Sequence, residues 1–209
     1  MAVERPRPDR KEQIVSAAID RLCEVGFEGF RLGDVAKDVG INNATLIHHY
    51  PSKVALIKAV VEGFTATFQA VADETNTDGS PRAKLARHMR SSFELMRTSP
   101  GMFVVLNEIM TKGRRDAEMA QLVSVPLAAW RDHIVSLISP RSSHGAIDET
   151  GRADAIATAT ATATVCMTQL LGIGLLSRPT DHAPSSSART CDAIESQAIA
   201  AVVQLVEEE

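Results

Sequence analysis

Apolar residues recur along most of this chain at intervals of three and four, the period of a helix buried on one side. Ile14, Ala17, Ala18, Leu22 and Val25 set the pattern over Asp9–Val25. Asp9 is placed as its N-cap, Glu12 three residues on completes a capping box, and Gly26 is the stop. Phe27 and Phe30 are expected to pack beneath the segment that follows. Leu32–Val39 and Asn42–His49 read as two short helices joined by a tight turn. Val35, Ala36 and Val39 face inward, Gly40 supplies a left-handed backbone, Ile41 plugs the turn and Leu46 anchors the second helix. Asn42 is the expected N-cap there, leaving Asn43, Ala44 and Thr45 to face outward. Pro51-Ser52 ends that helix and starts a longer one to about Ala72, with Ile57, Val60, Val61, Phe64, Phe68 and Val71 on one face.

Helical spacing continues through Arg82–Thr98, Phe103–Lys112, Asp116–Ser139, Arg152–Ser177 and Thr190–Val206. Polar or Pro/Gly-containing loops are expected at Asp73–Pro81, Ser99–Gly101, Ser139–Gly151 and Arg178–Ala188. Pro126 should kink or split the helix that contains it. Only Ala157–Thr164 alternates with period two, and threonine suits a strand. The surrounding run is too long without a turn signal for a strand, so it reads as helix. The expectation is an all-α fold of about nine helices: a small N-terminal domain, residues 1–52, and a larger helical body, residues 53–209.

Composition narrows the class. Apolar residues make up 44% and charged residues 23%, ordinary for a globular protein in water. The net charge of −4 excludes a coat of basic charge for bulk nucleic-acid binding. Distribution matters more: residues 1–60 hold nine Lys/Arg against eight Asp/Glu, and the remainder 13 against 18. A DNA-reading head on an acidic body is compatible with that asymmetry. Cys23, Cys166 and Cys191 lie far apart, in neither a zinc nor a disulfide spacing, and read as reduced small hydrophobes. The charged, Pro-rich N-terminus has no apolar signal region. Ala153–Leu176 is the stretch to weigh as a membrane span, but Asp154, Gln169 and its threonines argue against one. The expected location is the cytoplasm.

Two short helices around Gly40 form a helix-turn-helix, whose second helix enters the major groove of DNA. The order of parts around it resembles the TetR family of bacterial transcriptional regulators. The matching residues are Gly26-Phe27, Asp34-Val35-Ala36, Gly40-Ile41, Thr45-Leu46, His49-Tyr50 and Pro51-Ser52-Lys53. Similarity covers about the first 65 residues; beyond them only helix count and order agree. The resemblance implies a homodimer paired through its last two helices, on a palindromic double-stranded operator. It also implies repression that a small molecule, bound in the body, releases. No cofactor is implied. DNA contacts carried over by the resemblance fall on Asn42, Asn43, Ala44, Thr45, Ile47, His48, His49 and Lys53. Asn43 offers the donor–acceptor pair that matches adenine, while Thr45, His48 and Lys53 suit phosphates. Two positions depart from the family: Ile47 replaces an aromatic, and Phe30-Arg31 stands where a hydroxyl residue is usual. Ile47 keeps the option of a thymine methyl contact, and Arg31 can replace the hydroxyl's phosphate contact. Tyr50 is expected to pack its ring in the head with the hydroxyl at the rim.

Met89, Phe93, Met96, Phe103, Met110, Trp130 and Met167 lie on helical faces of the body. They line a pocket for an apolar effector or simply fill the core, and spacing alone does not separate these. His88, His133, Asp132 and Glu108 are the polar groups placed to orient such a ligand. His48-His49 lacks a third convergent ligand, so no metal site is expected. No nucleophile–base pair, phosphate loop or carboxylate pair has recognisable spacing, so no catalytic residue is assigned. The leading expectation is a ligand-responsive dimeric repressor; an all-α enzyme, or a helical interaction protein without specific DNA binding, are the alternatives.

Overall fold

The structure is a computed structural model that describes residues 9–75, 78–139, 149–176 and 186–206. Among the described residues there are nine α-helices and no strand. They are α1 (Arg10–Gly29), α2 (Leu32–Val39), α3 (Asn43–His49), α4 (Lys53–Thr75), α5 (Pro81–Thr98), α6 (Pro100–Gly113), α7 (Ala117–Ile138), α8 (Glu149–Leu176) and α9 (Ser186–Val203). The all-α expectation holds. The charged, Pro-rich residues before Asp9 and most of the loops expected at Ser139–Gly151 and Arg178–Ala188 lie outside the described residues.

Several boundaries differ from those expected, each for a local reason. Pro100 opens α6 instead of separating two helices, because a first-turn proline gives up an N–H that has no intrahelical partner anyway. Pro81 does the same for α5, with the Ser80 side chain accepting from the Ala83 N–H. Ser186–Thr190, expected partly as loop, belongs to α9. Pro126 does not split α7, which continues through it. The Ala/Thr alternation is helical. Thr160, Thr164 and Thr168 each donate the hydroxyl to the carbonyl four residues back, at 2.8 Å, which satisfies it without a strand. Ala159, Ala163, Cys166 and Leu170 are the buried side of that helix.

Two compact units divide the chain. The first takes the residues up to Thr65 together with Val104–Val123; the second takes Ala66–Phe103 and the residues from Ser124 on. In the first, Ile14, Ala18 and Leu22 of α1 are buried with Phe30, Val35, Ala36 and Leu46. Two segments, Lys53–Glu74 and Thr150–Gly174, are long and apolar enough to cross a membrane by length and composition alone. Each has a buried side packed on protein: Leu56, Ile57, Val60 and Phe64 in α4, and Ala159, Ala163, Cys166 and Leu170 in α8.

In the second unit α5 packs on α8 and α9. Its aromatic centre is Trp130, stacked on Phe68 with ring centroids 5.0 Å apart. The Trp130 indole N–H donates to His88 Nε2 at 2.9 Å. That bond needs a neutral imidazole with Nε2 unprotonated. Burial pushes the His88 pKa down to about 3, with a smaller contribution from His133. Unfolding returns it to its ordinary value near 6.5, so the unfolded chain binds the extra proton between those two values. Stability is therefore expected to fall with acidification from about pH 6.5 towards about pH 3, by at most about 1.4 kcal/mol per pH unit. Urea midpoints at pH 7.5 and 5 check this. Equal loss in wild type and His88→Gln would show that other groups govern acid sensitivity.

Candidate nucleic-acid interface

Helix α2 ends where Gly40 takes φ 70°, ψ 36°. The Ile41 N–H then donates to the Ala36 carbonyl at 2.9 Å and the Gly40 N–H to Lys37 at 3.0 Å. This is the Schellman pattern, and it turns the chain directly into α3. Asn42 caps α3: its side-chain oxygen accepts the Thr45 N–H at 2.7 Å. That leaves its amide NH2 as the outward group. Leu46 is fully buried and fixes which side of α3 faces in. Ala44, Ile47 and His48 turn away from it and are exposed, as is Asn43 at the first position of the helix, with Thr45 and His49 half-buried beside them. Tyr50 is half-buried, and burial raises its phenol pKa, helped by the Glu62 and Asp9 carboxylates.

Two of the candidate contacts are tied into the fold. The Lys53 ammonium donates to the Phe27 carbonyl at 2.5 Å and the Phe30 carbonyl at 3.4 Å. It also sits 4.0 Å from the centre of the Phe27 ring. Burial lowers its pKa, and the Arg31 and Lys112 charges add to that. Arg31 occupies the N-cap position of α2, and its Nη1 donates to the Glu28 carbonyl at 2.6 Å and to Phe30 at 3.0 Å. In the free protein both cations therefore hold the α1–α2 corner.

Sequence reading missed how that corner is built. Gly26 has φ 65°, ψ 179°, which breaks α1 as expected, and the chain resumes a helical turn before Phe30. The freed Phe27 N–H donates to Glu108 Oε2 of α6 at 3.0 Å. Lys112, one turn along α6, pairs with Glu28 at 2.7 Å. Arg21 and Asp38 clamp α1 to α2, with Nη2 to Oδ1 at 2.6 Å and Nε to Oδ2 at 3.0 Å. Glu108, offered from sequence as a ligand-orienting group, is engaged here instead. No local signal marks these pairs, because their members lie 17 to 84 residues apart. A side chain at Gly26 would meet Glu108 Oε2 at 3.3 Å in a backbone conformation that L residues rarely take. Gly26→Ala is expected to cost about 1–3 kcal/mol, read as a lower thermal midpoint. An unchanged midpoint would mean that the corner relaxes freely.

The apolar candidates distribute unevenly. Met89, Phe93, Met96, Phe103 and Trp130 are buried in the second unit, and Met167 is half-buried there. A side chain at Gly174 would touch Met96 and Phe103, both at 3.4 Å, so these pack against the end of α8. Met110 belongs to the first unit. Phe68, which sequence reading assigned only to the connector helix, joins Phe103 edge-on at 6.1 Å and Trp130 face-on. His133 Nε2 is buried without a hydrogen-bond partner. Asp132 is exposed and pairs with Arg131. Among the described residues no three His, Cys, Asp or Glu side chains converge as metal ligands.

The family model described as "Bacterial regulatory proteins, tetR family" matches residues 14–60. The HTH-type transcriptional regulator RutR of Escherichia coli (strain K12) is 32% identical over 91 residues, 44% of this chain and 43% of RutR. The HTH-type transcriptional regulator CymR of Pseudomonas putida is 36% identical over 50 residues, 24% of this chain and 25% of CymR. The chain thus spans less than half the length of these curated relatives. Solved structures match along nearly the whole chain. A transcriptional regulator from Rhodococcus sp. Rha1 superposes with a TM-score of 0.71 at 17% identity, covering 95% of this chain and 96% of that one. AibR, solved with isovaleryl coenzyme A and operator DNA, gives 0.68 at 18% identity, covering 95% and 98%. At such identities these two show a shared fold.

Proposed function

From the premise that residues 14–60 place the chain in the tetR family of bacterial regulatory proteins, we propose that it is a sequence-specific DNA-binding transcriptional regulator. The observation that carries this reading is the outward face of α3. Asn43, Ala44, Ile47 and His48 are exposed together on a helix that Leu46 pins to the core. In the reading head, residues 1–52, Asn43 pairs with a base edge and Ile47 and Ala44 meet thymine methyls. Asn42, Thr45, His48 and His49 hold phosphates with Arg31, and Lys53 at the start of the body does the same once DNA competes for its ammonium.

The regulator acts as a homodimer on a palindromic operator. One helix-turn-helix reads few base pairs, and two-fold pairing roughly doubles the binding free energy. Support for pairing through α8 and α9 comes from large apolar side chains left exposed there: Ile156, Val165 and Ile194. An apolar small molecule bound within the body, residues 53–209, relieves repression. The packed Met and aromatic side chains around Trp130 are its candidate site, because methionine repacks around a guest. AibR, with its acyl-CoA and operator, is a precedent for that arrangement in this fold.

Selection of bound duplexes from a random pool tests the reading. A palindromic consensus is expected, and Asn43→Ala should weaken binding to it by about 1–3 kcal/mol while relaxing preference at one base pair. Recovery of no preferred sequence at moderate salt would remove the proposal.

A further inference from the structure

The end of helix α6 and the turn after it carry a basic run, Lys112-Gly113-Arg114-Arg115, that the DNA-reading helices do not account for. It lies in the same compact unit as α1, α2 and α3. An open groove of about 640 Å³ is found there, lined by Phe27 and Glu28 on one side and Glu108, Lys112, Arg114 and Arg115 on the other. Both acidic residues of the groove are engaged. Glu28 pairs with Lys112 at 2.7 Å, and Glu108 accepts the Phe27 N–H at 3.0 Å. Asp116, next in sequence, is committed to the start of α7, where its Oδ1 accepts the N–H groups of Glu118 and Met119 at 3.1 and 3.2 Å. Arg114 and Arg115 are exposed, and no ion pair among the described residues includes either. The turn that carries them is held by backbone bonds from Arg114 to Thr111 and from Arg115 to Lys112.

The local charge is opposite to that of the whole chain. Lys112, Arg114 and Arg115 stand against Glu28 and Glu108. Lys53 over the Phe27 ring and Arg31 on the Glu28 carbonyl bring the cations to five, and Asp116 brings the carboxylates to three, so the patch is positive in a protein of net −4. The strip is also continuous with the reading head. Arg31 at the N-cap of α2 touches Glu28, Glu28 touches Lys112, and the two arginines follow within three residues.

We propose that Arg114 and Arg115 form a second phosphate-holding edge, which grips the DNA backbone flanking the segment read by α3. A guanidinium matches a phosphate with two parallel N–H bonds, and a phosphate is what an unpaired, exposed arginine pair beside a DNA-reading head meets first. The edge reads no bases, so it adds affinity and register without sequence preference. Lys112, held by Glu28, contributes field. The proposal rests on the DNA-binding reading above, and its test separates the two.

The measurement is the salt dependence of binding of the full chain to a long random-sequence duplex, by fluorescence anisotropy, for wild type and for Arg114→Gln/Arg115→Gln. Losing two phosphate contacts lowers the slope of log K against log salt by about 1.8 per protomer. The variant then loses about tenfold less affinity per protomer than wild type between about 50 and 200 mM salt. On a duplex trimmed to the selected core sequence the two proteins bind alike. On one extended at both ends wild type binds more tightly and the variant does not. Equal slopes with intact wild-type binding overturn the edge and leave the DNA-binding reading standing. A wild type without salt-sensitive DNA binding overturns both. Binding of inorganic phosphate at the arginines with unchanged DNA slopes would assign them to a small anion, against the proposal. Should the variant melt early, Arg114→Lys/Arg115→Lys retains the charge and must restore the slope.

Discussion

Phe30→Ala is expected to destabilise the reading head by about 3–5 kcal/mol, the range for truncating a fully buried aromatic. Phe30 has no exposed surface and sits at the corner between α1 and α2. The Lys53 ammonium lies 5.4 Å from its ring centre and bonds to its carbonyl, so the cavity would open beneath a residue that also fastens α4 to the corner. A whole domain is held by only about 5–15 kcal/mol, so the loss leaves a sizeable unfolded fraction at growth temperature. Urea unfolding followed by circular dichroism reads the shift. Native-state hydrogen exchange should place the loss of protection in α1, α2 and α3. A shift under about 1 kcal/mol would mean that the corner refills the space, contrary to the packing described.

Ile47→Glu is expected to do the opposite, leaving stability intact and abolishing DNA binding. Ile47 is 44% exposed, so removing it opens no core cavity. In the proposed complex it lies against bases and between phosphates, where a carboxylate loses its water and meets like charge. Such juxtaposition costs several kcal/mol, so affinity should fall by over a hundredfold, corresponding to about 3 kcal/mol or more. Ile47→Tyr, which supplies the aromatic usual in the regulators this segment resembles, should bind at least as well as wild type. Titration of the selected operator decides the matter. An Ile47→Glu protein that binds like wild type would place α3 outside the groove.

These two variants separate what holds the head from what the head touches, and they differ in how readable they were. Asn43, Ala44 and Thr45 are read as outward from the helix and its cap, and Ile47 and His48 join them through the resemblance. Once Leu46 points inward, positions 44, 47 and 48 must turn away from it, because the angular step of a helix is fixed, whereas Asn43, one turn before Leu46 on the same side, is exposed because it opens the helix. Gly40 and Asn42 were legible for the same kind of reason, since a left-handed turn and an N-cap each need particular residues. Lys53 is different. Its motif marked it for phosphate, yet the structure has it bonded to two backbone carbonyls across 23 and 26 residues. Nothing in the local pattern distinguishes a lysine that points to solvent from one that closes a corner.

The sequence by itself determined the all-α class, the order of the helices, the helix-turn-helix and its outward face. All of these follow from interactions over four or five residues, which backbone geometry and burial periodicity impose. Tertiary structure alone decided that Glu108 and Lys112 reach back to the α1–α2 corner, and that Phe68 and His88 gather around Trp130. It also decided that Arg114 and Arg115 face open space beside the head. Those pairings join residues 42 to 84 positions apart. A chain specifies such contacts only through the packing of whole helices, which no local window contains.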